Sequence, residues 1–346
     1  MGEFVDIFLM LLLIAGALTV LTVRNLFVAT MMLGIVSFLM ALIFVSLDAV
    51  DVAFTEAAVG AGISTVLYIG TLALVGAQEK PGIKFAAGPL VTCLAVGAVL
   101  FYATNQMPPY GNADNPIHTH VAPRYIDVSP IEIGVPNMVT SVLSSYRGYD
   151  TFGETTVVFT AAIGVLLILS QLRRRKEDED EDAEKPARKG LRVSLTGLGS
   201  QHDLVPHVVA KLLIPFIFVF ALYVQFHGDY GPGGGFQAGV IFAAGFILYA
   251  LIFGLQYTQK VLSSTVVLYL LAAGVLLYGG VGIAGILLGG NFLDYNVLSE
   301  NAVSGQHLGI LLIEFGVGTT VAAAMLAIFY AFAGRAEPVT KMPDQE

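Results

Sequence analysis

Residues 26–46 read LFVATMMLGIVSFLMALIFVS, a run without a single charged side chain. A helix that crosses the hydrocarbon core of a membrane, about 30 Å thick, needs about 20 residues of this kind. Windows of that size recur along the whole chain, at approximately 4–23, 26–46, 56–77, 86–104, 154–172, 206–227, 235–255, 264–288 and 307–333. The sequence therefore predicts an all-α, polytopic membrane protein with about nine transmembrane helices.

The composition excludes several other classes of protein. The chain has 346 residues, of which 56% are hydrophobic and 12% are charged, whereas an average soluble domain is roughly 25% charged. So few charges argue against a cytosolic globular enzyme, a disordered chain and a secreted disulfide scaffold. The formal net charge of −9 argues against nucleic-acid binding, which requires basic surfaces. The single cysteine, Cys93, has no partner for an internal disulfide.

The basic residues predict how the chain is oriented, because Lys and Arg concentrate in cytoplasmic segments. With the N-terminus outside, Arg124 and Arg147 are the only two of the 17 Lys and Arg residues that face outward. The RRRK run at 173–176 and Lys260 then face the cytoplasm. We therefore predict an external N-terminus and a cytoplasmic C-terminus. The acidic start, Met1-Gly2-Glu3, also argues against a signal peptide.

Changes in composition predict the organisation of the chain. The charged segment around RRRKEDEDEDAEKPARKG cannot form a core and should be a solvated linker. The external segment 105–153 is too polar to span and too rich in proline for one helix; we expect short extended pieces and an amphipathic surface helix near Asn137–Tyr146. The predicted parts are a three-span region at 1–80, a two-span region with a long external loop at 81–172, a charged cytoplasmic linker at 173–205, a four-span domain at 206–335 and a cytoplasmic tail at 336–346.

Two pairs of glycines have the G-x-x-x-G spacing that permits close approach of helices, Gly285–Gly289 and Gly305–Gly309. Ordinary packing within the chain explains such pairs. The alternative is that these faces dock other membrane subunits.

Motifs for enzymatic chemistry are missing from the sequence. It has no phosphate-binding loop, no C-x-x-C pair and no H-E-x-x-H. His118 and His120 form the only close pair of histidines, and solvated loop residues explain that pair better than a metal site does. We therefore predict no catalytic residue, no metal, no cofactor and no enzymatic activity. The remaining candidates are ionisable groups in or beside spans, where burial is costly and function is the default expectation.

The segment SLDAVDVAFTE at 46–56 carries the first candidates. Asp51 and Thr55 share a face if their helix begins early. Helix capping is the alternative interpretation, for Asp48 above all, because acids favour the positive end of a helix dipole. Glu56 is followed by Ala-Ala-Val-Gly-Ala-Gly, which lets a neighbouring backbone approach the carboxyl group, and this pattern favours a functional role.

The segment YRGYDTFGE at 146–154 carries Asp150 and Glu154. Thr151 and Glu154 have the spacing of a capping box, which alone would explain the glutamate. A proton or cation site at the mouth of the span is equally consistent with these residues.

The segment FHGDYGPGGGFQ at 226–237 is too rich in glycine to be helical. Such a loop can fold back into a bundle and line a cavity with backbone carbonyl groups. Its candidate residues are His227, Asp229, Pro232, Gly233, Gly234, Gly235 and Gln237. Glu314 is the last candidate; it lies about two turns, or about 10 Å, into the final span. A bare carboxylate facing lipid there costs several kcal/mol, so Glu314 must face protein, be protonated or have a partner.

The sequence resembles a known family at these motifs. HGDYGPGGGFQAGVIFAAGFIL and GILLIEFGVGTTVAAAMLAIF, within residues 206–333, resemble the B-type component of the Mrp-type multisubunit Na+/H+ antiporters. DAVDVAFTEAAVGAGISTVLYIGTL and PNMVTSVLSSYRGYDTFGETTVVFTAAIGV resemble the D and E components of Mbh-type membrane-bound hydrogenases, which correspond to the C-terminal end of the large A-type component of Mrp antiporters.

The resemblance implies an accessory membrane subunit of a Na+/proton antiporter complex in the cell inner (plasma) membrane. It implies an ion path through Asp51, Glu56, Asp150 and Glu154, contacts with lipid, and partners among the large antiporter-like and the small subunits of such a complex. Two alternatives stay open. One is a membrane subunit of a redox-driven complex such as an Mbh-type hydrogenase, and the other is a scaffold without an ion path.

Overall fold

The computed structural model describes residues 2–79, 87–109, 111–181 and 204–336. Regular structure in these ranges is helical, apart from one isolated bridge between Asn25 and Gln78. Nine helices in the described ranges are long and apolar enough to cross a membrane, which confirms the predicted all-α, multi-pass membrane fold. We number them as α1 (Gly2–Thr22), α2 (Leu26–Ser46), α3 (Val50–Val75), α4 (Ala87–Asn105), α5 (Gly148–Glu181), α6 (Leu204–His227), α7 (Gly235–Phe253), α8 (Ser264–Leu287) and α9 (Ala302–Ala336).

Helix α9 is the centre of the bundle. Its residues Ile310, Ile313 and Val321 have no exposed surface, and it packs against α5, α7, α8 and the C-terminal part of α3. Helix α6 packs on α7, while α1 packs on α2 and α2 on α3. No residue of α4 is buried. The periphery of the bundle is therefore apolar helix surface that suits lipid or other membrane helices.

Three helices begin five or six residues earlier than the apolar windows predict. Helix α3 begins at Val50 instead of 56, α5 at Gly148 instead of 154, and α9 at Ala302 instead of 307. Hydropathy windows miss these first turns because the turns contain polar residues that are nevertheless helical. As a consequence, Glu314 lies about 18 Å along α9, at 1.5 Å per residue, rather than about 10 Å.

The observed helix starts do not fit the helix caps that the sequence suggested. Ala49 is the N-cap residue of α3 and makes no side-chain capping bond, so capping by Asp48 is wrong. Thr151 lies inside α5, and its hydroxyl donates to the carbonyl of Leu143 at 2.8 Å. The predicted capping box is therefore also wrong, and Glu154 projects from the first turns of a helix that has already begun.

The segment at the end of the long loop buries polar side chains inside the protein, which corrects the predicted surface helix near Asn137–Tyr146. It is helical, first as Met138–Thr140 and then as a π-helical turn at Ser141–Tyr146. The side chains of Thr140, Ser141 and Ser144 are buried, because the segment packs against α9 rather than lying on water. We call residues 137–146 the wedge segment.

The glycine pairs pack within the chain. A Cβ atom at Gly285 would lie 2.9 Å from the carbonyl oxygen of Asn291, and Gly305 and Gly309 lie directly against Tyr295. Gly289 lies beyond the end of α8, with a φ of 90°. Packing inside the bundle thus accounts for Gly285, Gly305 and Gly309.

The predicted charged linker at 173–205 lies only partly within the described residues. Helix α5 continues through the RRRK run to Glu181. The predicted stretch 182–203 and the tail at 337–346 lie outside the described residues.

Candidate functional site

A cavity of about 330 Å³ lies among α3, α5, α7 and α9, beside the wedge segment. Three acidic residues line it, Asp51 from α3, Glu154 from α5 and Glu314 from α9. Most of its other polar side chains carry hydroxyl groups; these residues are Thr55, Thr140, Ser144, Thr151 and Thr155. The structure therefore brings together acids that the sequence analysis treated as separate candidates.

Glu314 is the most deeply buried of the three acids, at 9% exposure. The hydroxyl of Ser144 donates to its Oε1 atom at 3.3 Å. The carboxylate also lies against the glycine-rich loop: a Cβ atom at Gly234 would lie 3.4 Å from Oε1, and one at Gly228 would lie 3.3 Å from Oε2. Of the alternatives that the sequence left open for Glu314, the structure shows a side chain that faces protein and has Ser144 as a partner.

The glycine-rich loop at 228–234 folds tightly on itself, since a Cβ atom at Gly228 would lie 2.8 Å from the Cα atom of Gly234. Gly234 has a φ of 116°, in the left-handed region that favours glycine. A Cβ atom at Gly235 would overlap the backbone carbonyl of Glu314. Residues 228–234 are non-helical, as predicted, whereas the ends of the predicted segment 226–237 belong to α6 and α7. The glycines of the loop allow the chain to wrap around a buried carboxylate.

Asn137 holds this loop in place from the start of the wedge segment. Its amide nitrogen donates to the carbonyl groups of Gly228 and Gly231, each at 3.0 Å. The hydroxyl of Thr140 donates to the same Gly228 carbonyl at 2.7 Å. These bonds turn two loop carbonyls toward the wedge segment and fix the distance between the two segments.

Asp51 joins α3 to the same network. Its Oδ1 atom accepts from the backbone N–H of Gly233 and from the amide of Asn137, both at 3.4 Å. One turn further on, Thr55 accepts from the amide of Gln237 at 2.7 Å. The early start of α3 thus places Asp51 and Thr55 on one face, as the sequence predicts for an early start, and that face meets the glycine-rich loop.

Asp229 lies in the loop and pairs with His307 of α9. Its Oδ2 atom lies 3.6 Å from Nδ1 of His307. Burial raises the pKa of Asp229 above its usual value, and the imidazole of His307 partly offsets this effect. A fourth carboxyl group and a histidine therefore lie beside the cavity without lining it.

Four more predicted residues lie outside this cavity. Glu56 lies beside α2, since a Cβ atom at Gly60 would be 2.5 Å from both its Oε1 atom and the hydroxyl of Ser37. Asp150 forms an exposed ion pair, with its Oδ2 atom 2.6 Å from Nε of Arg147. His227 and Pro232 line another cavity, of about 500 Å³, against α2 and α3.

A π-helical turn interrupts α3 directly after Glu56, over Ala57–Ile63. Turns of this kind are rare and are often found at functional sites. The small residues AAVGAGI predict a place where a neighbouring backbone can approach closely. They do not predict the π-helical geometry.

Sequence reasoning missed several residues that build the site, Asn137 and Ser144 among them. Tyr295 donates to the backbone carbonyl of Ser144 at 3.0 Å, and Tyr278 donates to that of Gly148 at 2.7 Å. Burial raises the pKa of the Tyr295 phenol, so it remains a hydrogen-bond donor. One available signal was the complete lack of charge in residues 137–146, which indicates burial rather than a surface helix.

Three family models match successive parts of the chain. They are MbhD of the MBH complex at residues 11–77, MbhE of the same complex at 91–189, and a domain related to the MnhB subunit of a Na+/H+ antiporter at 205–327.

Two relatives and one solved structure match as well. A relative from Staphylococcus haemolyticus, named as the antiporter subunit mnhB2, is 31% identical over 142 residues, which are 39% of this chain and 96% of the relative. A Rhizobium meliloti relative, named as a probable A/B component of a K(+)/H(+) antiporter, is 22% identical over 87% of this chain and 31% of its own length. A chain of the Mrp complex from Dietzia is 25% identical, with a TM-score of 0.71 over 94% of this chain and 34% of that chain.

A bundle of long apolar helices with three acids at one cavity is that of a polytopic membrane protein with an acidic site. The family follows from the match to nearly the full length of mnhB2 at 31% identity. The chain belongs to the family of MnhB-related antiporter subunits. It spans about a third of the length of the Rhizobium and Dietzia proteins.

Proposed function

We propose that this chain is a membrane subunit of a multisubunit monovalent cation/proton antiporter complex in the cell inner (plasma) membrane. Its partners are the large antiporter-like subunits and the small subunits of an Mrp-type complex, and it works as part of a transporter rather than as an enzyme. The names of the relatives and the fold shared with a chain of the Mrp complex support this proposal. The observation that carries it is the cavity lined by Asp51, Glu154 and Glu314.

Carboxyl groups inside a membrane protein are costly to bury, and ion and proton paths are a common reason for keeping them. In this cavity each acid has a distinct environment. Glu314 is buried, with Ser144 as donor, while Asp51 accepts from the Gly233 N–H and the Asn137 amide. Glu154 is exposed at the open side. This series of carboxyl groups suits the passage of a proton from the protein surface at Glu154 to the buried Glu314.

The same cavity has the chemistry of a monovalent cation path. Hard cations prefer oxygen ligands, and the cavity offers carboxylate oxygens together with the hydroxyls of Thr55, Thr140 and Ser144. We propose Na+ as the cation. The names of the relatives differ on this point, because the family description refers to Na+ and the Rhizobium name to K+; both ions therefore belong in the test.

The structure divides the predicted acids into two groups, and the proposal follows that division. Asp51, Glu154 and Glu314 form the path. Asp150 is paired with Arg147 on an exposed surface, and we assign it no role in the path. Glu56 lies beside Ser37 and next to the π-helical turn, and its role in ion movement stays a prediction.

The test uses the complex purified with its neighbouring subunits and reconstituted in proteoliposomes. Proton exchange driven by Na+ or K+ is measured for Asp51→Asn, Glu154→Gln and the control Asp150→Asn. We expect the two cavity variants to assemble and to lose most of the exchange, while the control exchanges like wild type. Full exchange in both cavity variants would contradict the proposed path.

A membrane subunit of a redox-driven complex is the second candidate. The matches of residues 11–77 and 91–189 to two MBH components favour it. Identification of the chains that co-purify in mild detergent separates the two candidates. A set of antiporter subunits supports the transporter, and a nickel–iron hydrogenase subunit supports the redox complex.

A further inference from the structure

The acidic cavity, lined by Asp51, Glu154 and Glu314, presents hydroxyl oxygens rather than hydroxyl protons to its interior. Each of the five hydroxyl groups in its described lining uses its only proton in a hydrogen bond to another protein oxygen. These groups belong to Thr55, Thr140, Ser144, Thr151 and Thr155. Because a hydroxyl has one donor and two acceptor lone pairs, only acceptor positions are left for a molecule or ion in the cavity.

Gln237 adds another acceptor to this wall. The residue lies in the first turn of α7 and is only 7% exposed. Its amide nitrogen donates to the hydroxyl oxygen of Thr55 at 2.7 Å. The Thr55 hydroxyl donates in turn to the backbone carbonyl of Asp51 at 3.0 Å, so it can only accept from Gln237. This chain of bonds fixes which way the amide of Gln237 points and leaves its Oε1 atom free.

The Oε1 atom of Gln237 is open to the cavity. No described residue donates a hydrogen bond to it. In the described part of the chain, the enclosed side-chain polar atoms without a partner are Oγ of Ser129 and Nε2 of Gln225. Oε1 of Gln237 is not one of them, so it keeps accessible surface, and Gln237 lines the acidic cavity. A buried acceptor nearly always has a partner in a native structure, so the partner of this one must come from the cavity.

The charge of the cavity restricts that partner further. Three carboxyl groups line it, and the described lining residues include no Lys, Arg or His. An anion does not fit a wall of carboxylates and lone pairs. Protonation of the acids removes their charge but leaves Oε1 of Gln237 unpaired, whereas a bound water pairs Oε1 but leaves the carboxylate charge in place. A cation satisfies both, because hard cations bind carboxylate, amide and hydroxyl oxygens.

Asp51 is joined to Gln237 through Thr55 and supplies a second free oxygen. Its Oδ1 atom accepts from the Gly233 N–H and the Asn137 amide. Its Oδ2 atom accepts a hydrogen bond from no described residue. Oδ2 of Asp51 and Oε1 of Gln237 are therefore unpaired oxygens on neighbouring residues of the cavity wall.

We propose that Gln237 is a cation ligand, and that its Oε1 atom and the Asp51 carboxylate bind one partly dehydrated Na+ as it passes through the acidic cavity. The inference rests on the proposed function, since it adds a specific ligand to that path. The amide of Gln237 carries no charge and exchanges no proton with the acids. Gln237 thus sets the affinity for the cation, whereas the carboxyl groups also carry the proton.

The first test compares two substitutions of Gln237 in the reconstituted complex. Gln237→Met keeps the length of the side chain and removes its oxygen, whereas Gln237→Glu keeps an oxygen and removes the amide donor for Thr55. Proton exchange is measured against Na+ concentration, with choline chloride holding the ionic strength constant. We expect Gln237→Met to raise the half-saturating Na+ concentration at least about tenfold, the value of one contact with a charged partner, with a maximal rate near that of wild type. Exchange by Gln237→Glu should half-saturate at or below the wild-type Na+ concentration.

Gln225→Met is the matched control. Gln225 is equally buried, at 7% exposure, and does not line the acidic cavity. We expect its exchange to half-saturate like that of wild type. An unchanged half-saturating concentration for Gln237→Met, the same rise for Gln225→Met, or an equal rise for Gln237→Glu would each overturn the proposal. The last outcome would assign the role of Gln237 to its bond with Thr55.

Equilibrium binding of radiolabelled Na+ to the detergent-purified complex separates this inference from the proposed function. We expect Gln237→Met to need at least about tenfold more Na+ than wild type to fill one site, whether or not protons are exchanged. A wild type that lacks cation-driven exchange but binds Na+ through Gln237 would contradict the proposed function alone. A wild type that exchanges protons but has the same binding curve as Gln237→Met would contradict this inference alone.

Discussion

The hydroxyl of Ser144 donates a hydrogen bond to Glu314, and the two residues lie 170 positions apart in the chain. Ser144 belongs to the wedge segment, in the part of the chain that precedes the charged segment, whereas Glu314 lies on the last helix. The acids Asp51 and Glu154 also come from the first part, and the glycine-rich loop from the second. Residues from both halves of the chain therefore form the acidic cavity.

The close contact between α7 and α9 predicts the effect of enlarging Gly235. A methyl group there would overlap the carbonyl of Glu314, and overpacking of this kind typically costs about 1–3 kcal/mol. We expect Gly235→Ala to lower the midpoint temperature at which the purified complex loses its monodisperse peak in size-exclusion chromatography.

Gly280→Ala is the matched control for this change. Gly280 also lies in a transmembrane helix, but beyond its own helix no atom of the described residues is within 4 Å of the position of its added Cβ atom. Alanine is favoured over glycine in helices by about 1 kcal/mol, so this variant should be neutral or slightly more stable. A similar loss of thermal stability in both variants would show that the close contact at Gly235 is not the cause of the loss.

The environment of Asp229 predicts a dependence of stability on pH. Burial raises its pKa, so the folded state binds the proton more tightly than the unfolded state does. The stability contributed by this proton is fully present below the unfolded pKa of 3.8 and is lost as the pH rises through the folded pKa. Asp229→Asn, which needs no proton, should therefore be more heat-stable than wild type at pH 8, by about 3 °C.

The difference in heat stability between Asp229→Asn and wild type should shrink as the pH falls toward 4, because wild-type Asp229 recovers its proton. Asp127→Asn is the control, because Asp127 is exposed in the long loop. A difference for Asp229→Asn that stays constant from pH 8 to pH 4 would rule out titration of this carboxyl group as its cause.

The distribution of basic residues predicts which segments face outward. Cysteine labelling measures the side of the membrane that each segment faces. In a Cys93→Ala background, Asn112→Cys places a thiol in the long loop and Asp180→Cys places one in the charged segment. We expect a membrane-impermeant maleimide to label position 112 in intact cells and position 180 only after lysis. The opposite pattern would reverse the predicted orientation.

The fold was largely predictable from the sequence because membrane burial imposes a length and an apolar composition on every spanning helix. All nine helices of the described ranges coincide with apolar windows. The errors occur at helix starts, where polar first turns at Val50, Gly148 and Ala302 are missed by a hydropathy window. The capping box at Thr151 failed for the same reason, since it assumed a later start. Capping by Asp48 failed because α3 begins at Val50 with Ala49 as its N-cap residue, one residue too late for Asp48.

The candidate site was predictable in its components but not in its assembly. Single acids and the glycine-rich loop stand out in the sequence because buried charge and helix-breaking glycine are unusual inside a membrane. Their convergence depends on contacts such as those of Asn137 with Gly228 and Gly231. Contacts across about 90 positions have no signature in a single sequence, and so Asn137 and Ser144 were missed.

The most direct test of the ion path is cation-driven proton exchange by the reconstituted complex that carries Glu314→Gln. Glutamine keeps the acceptor oxygen for Ser144 but removes the ionisable carboxyl group, so assembly should be unchanged. The control Glu300→Gln makes the same change at an exposed position in the loop before α9. The proposal predicts that exchange falls at least about tenfold for Glu314→Gln, as expected when a proton-transfer group is lost, and stays at the wild-type level for Glu300→Gln. An assembled Glu314→Gln complex that exchanges protons like wild type would contradict it.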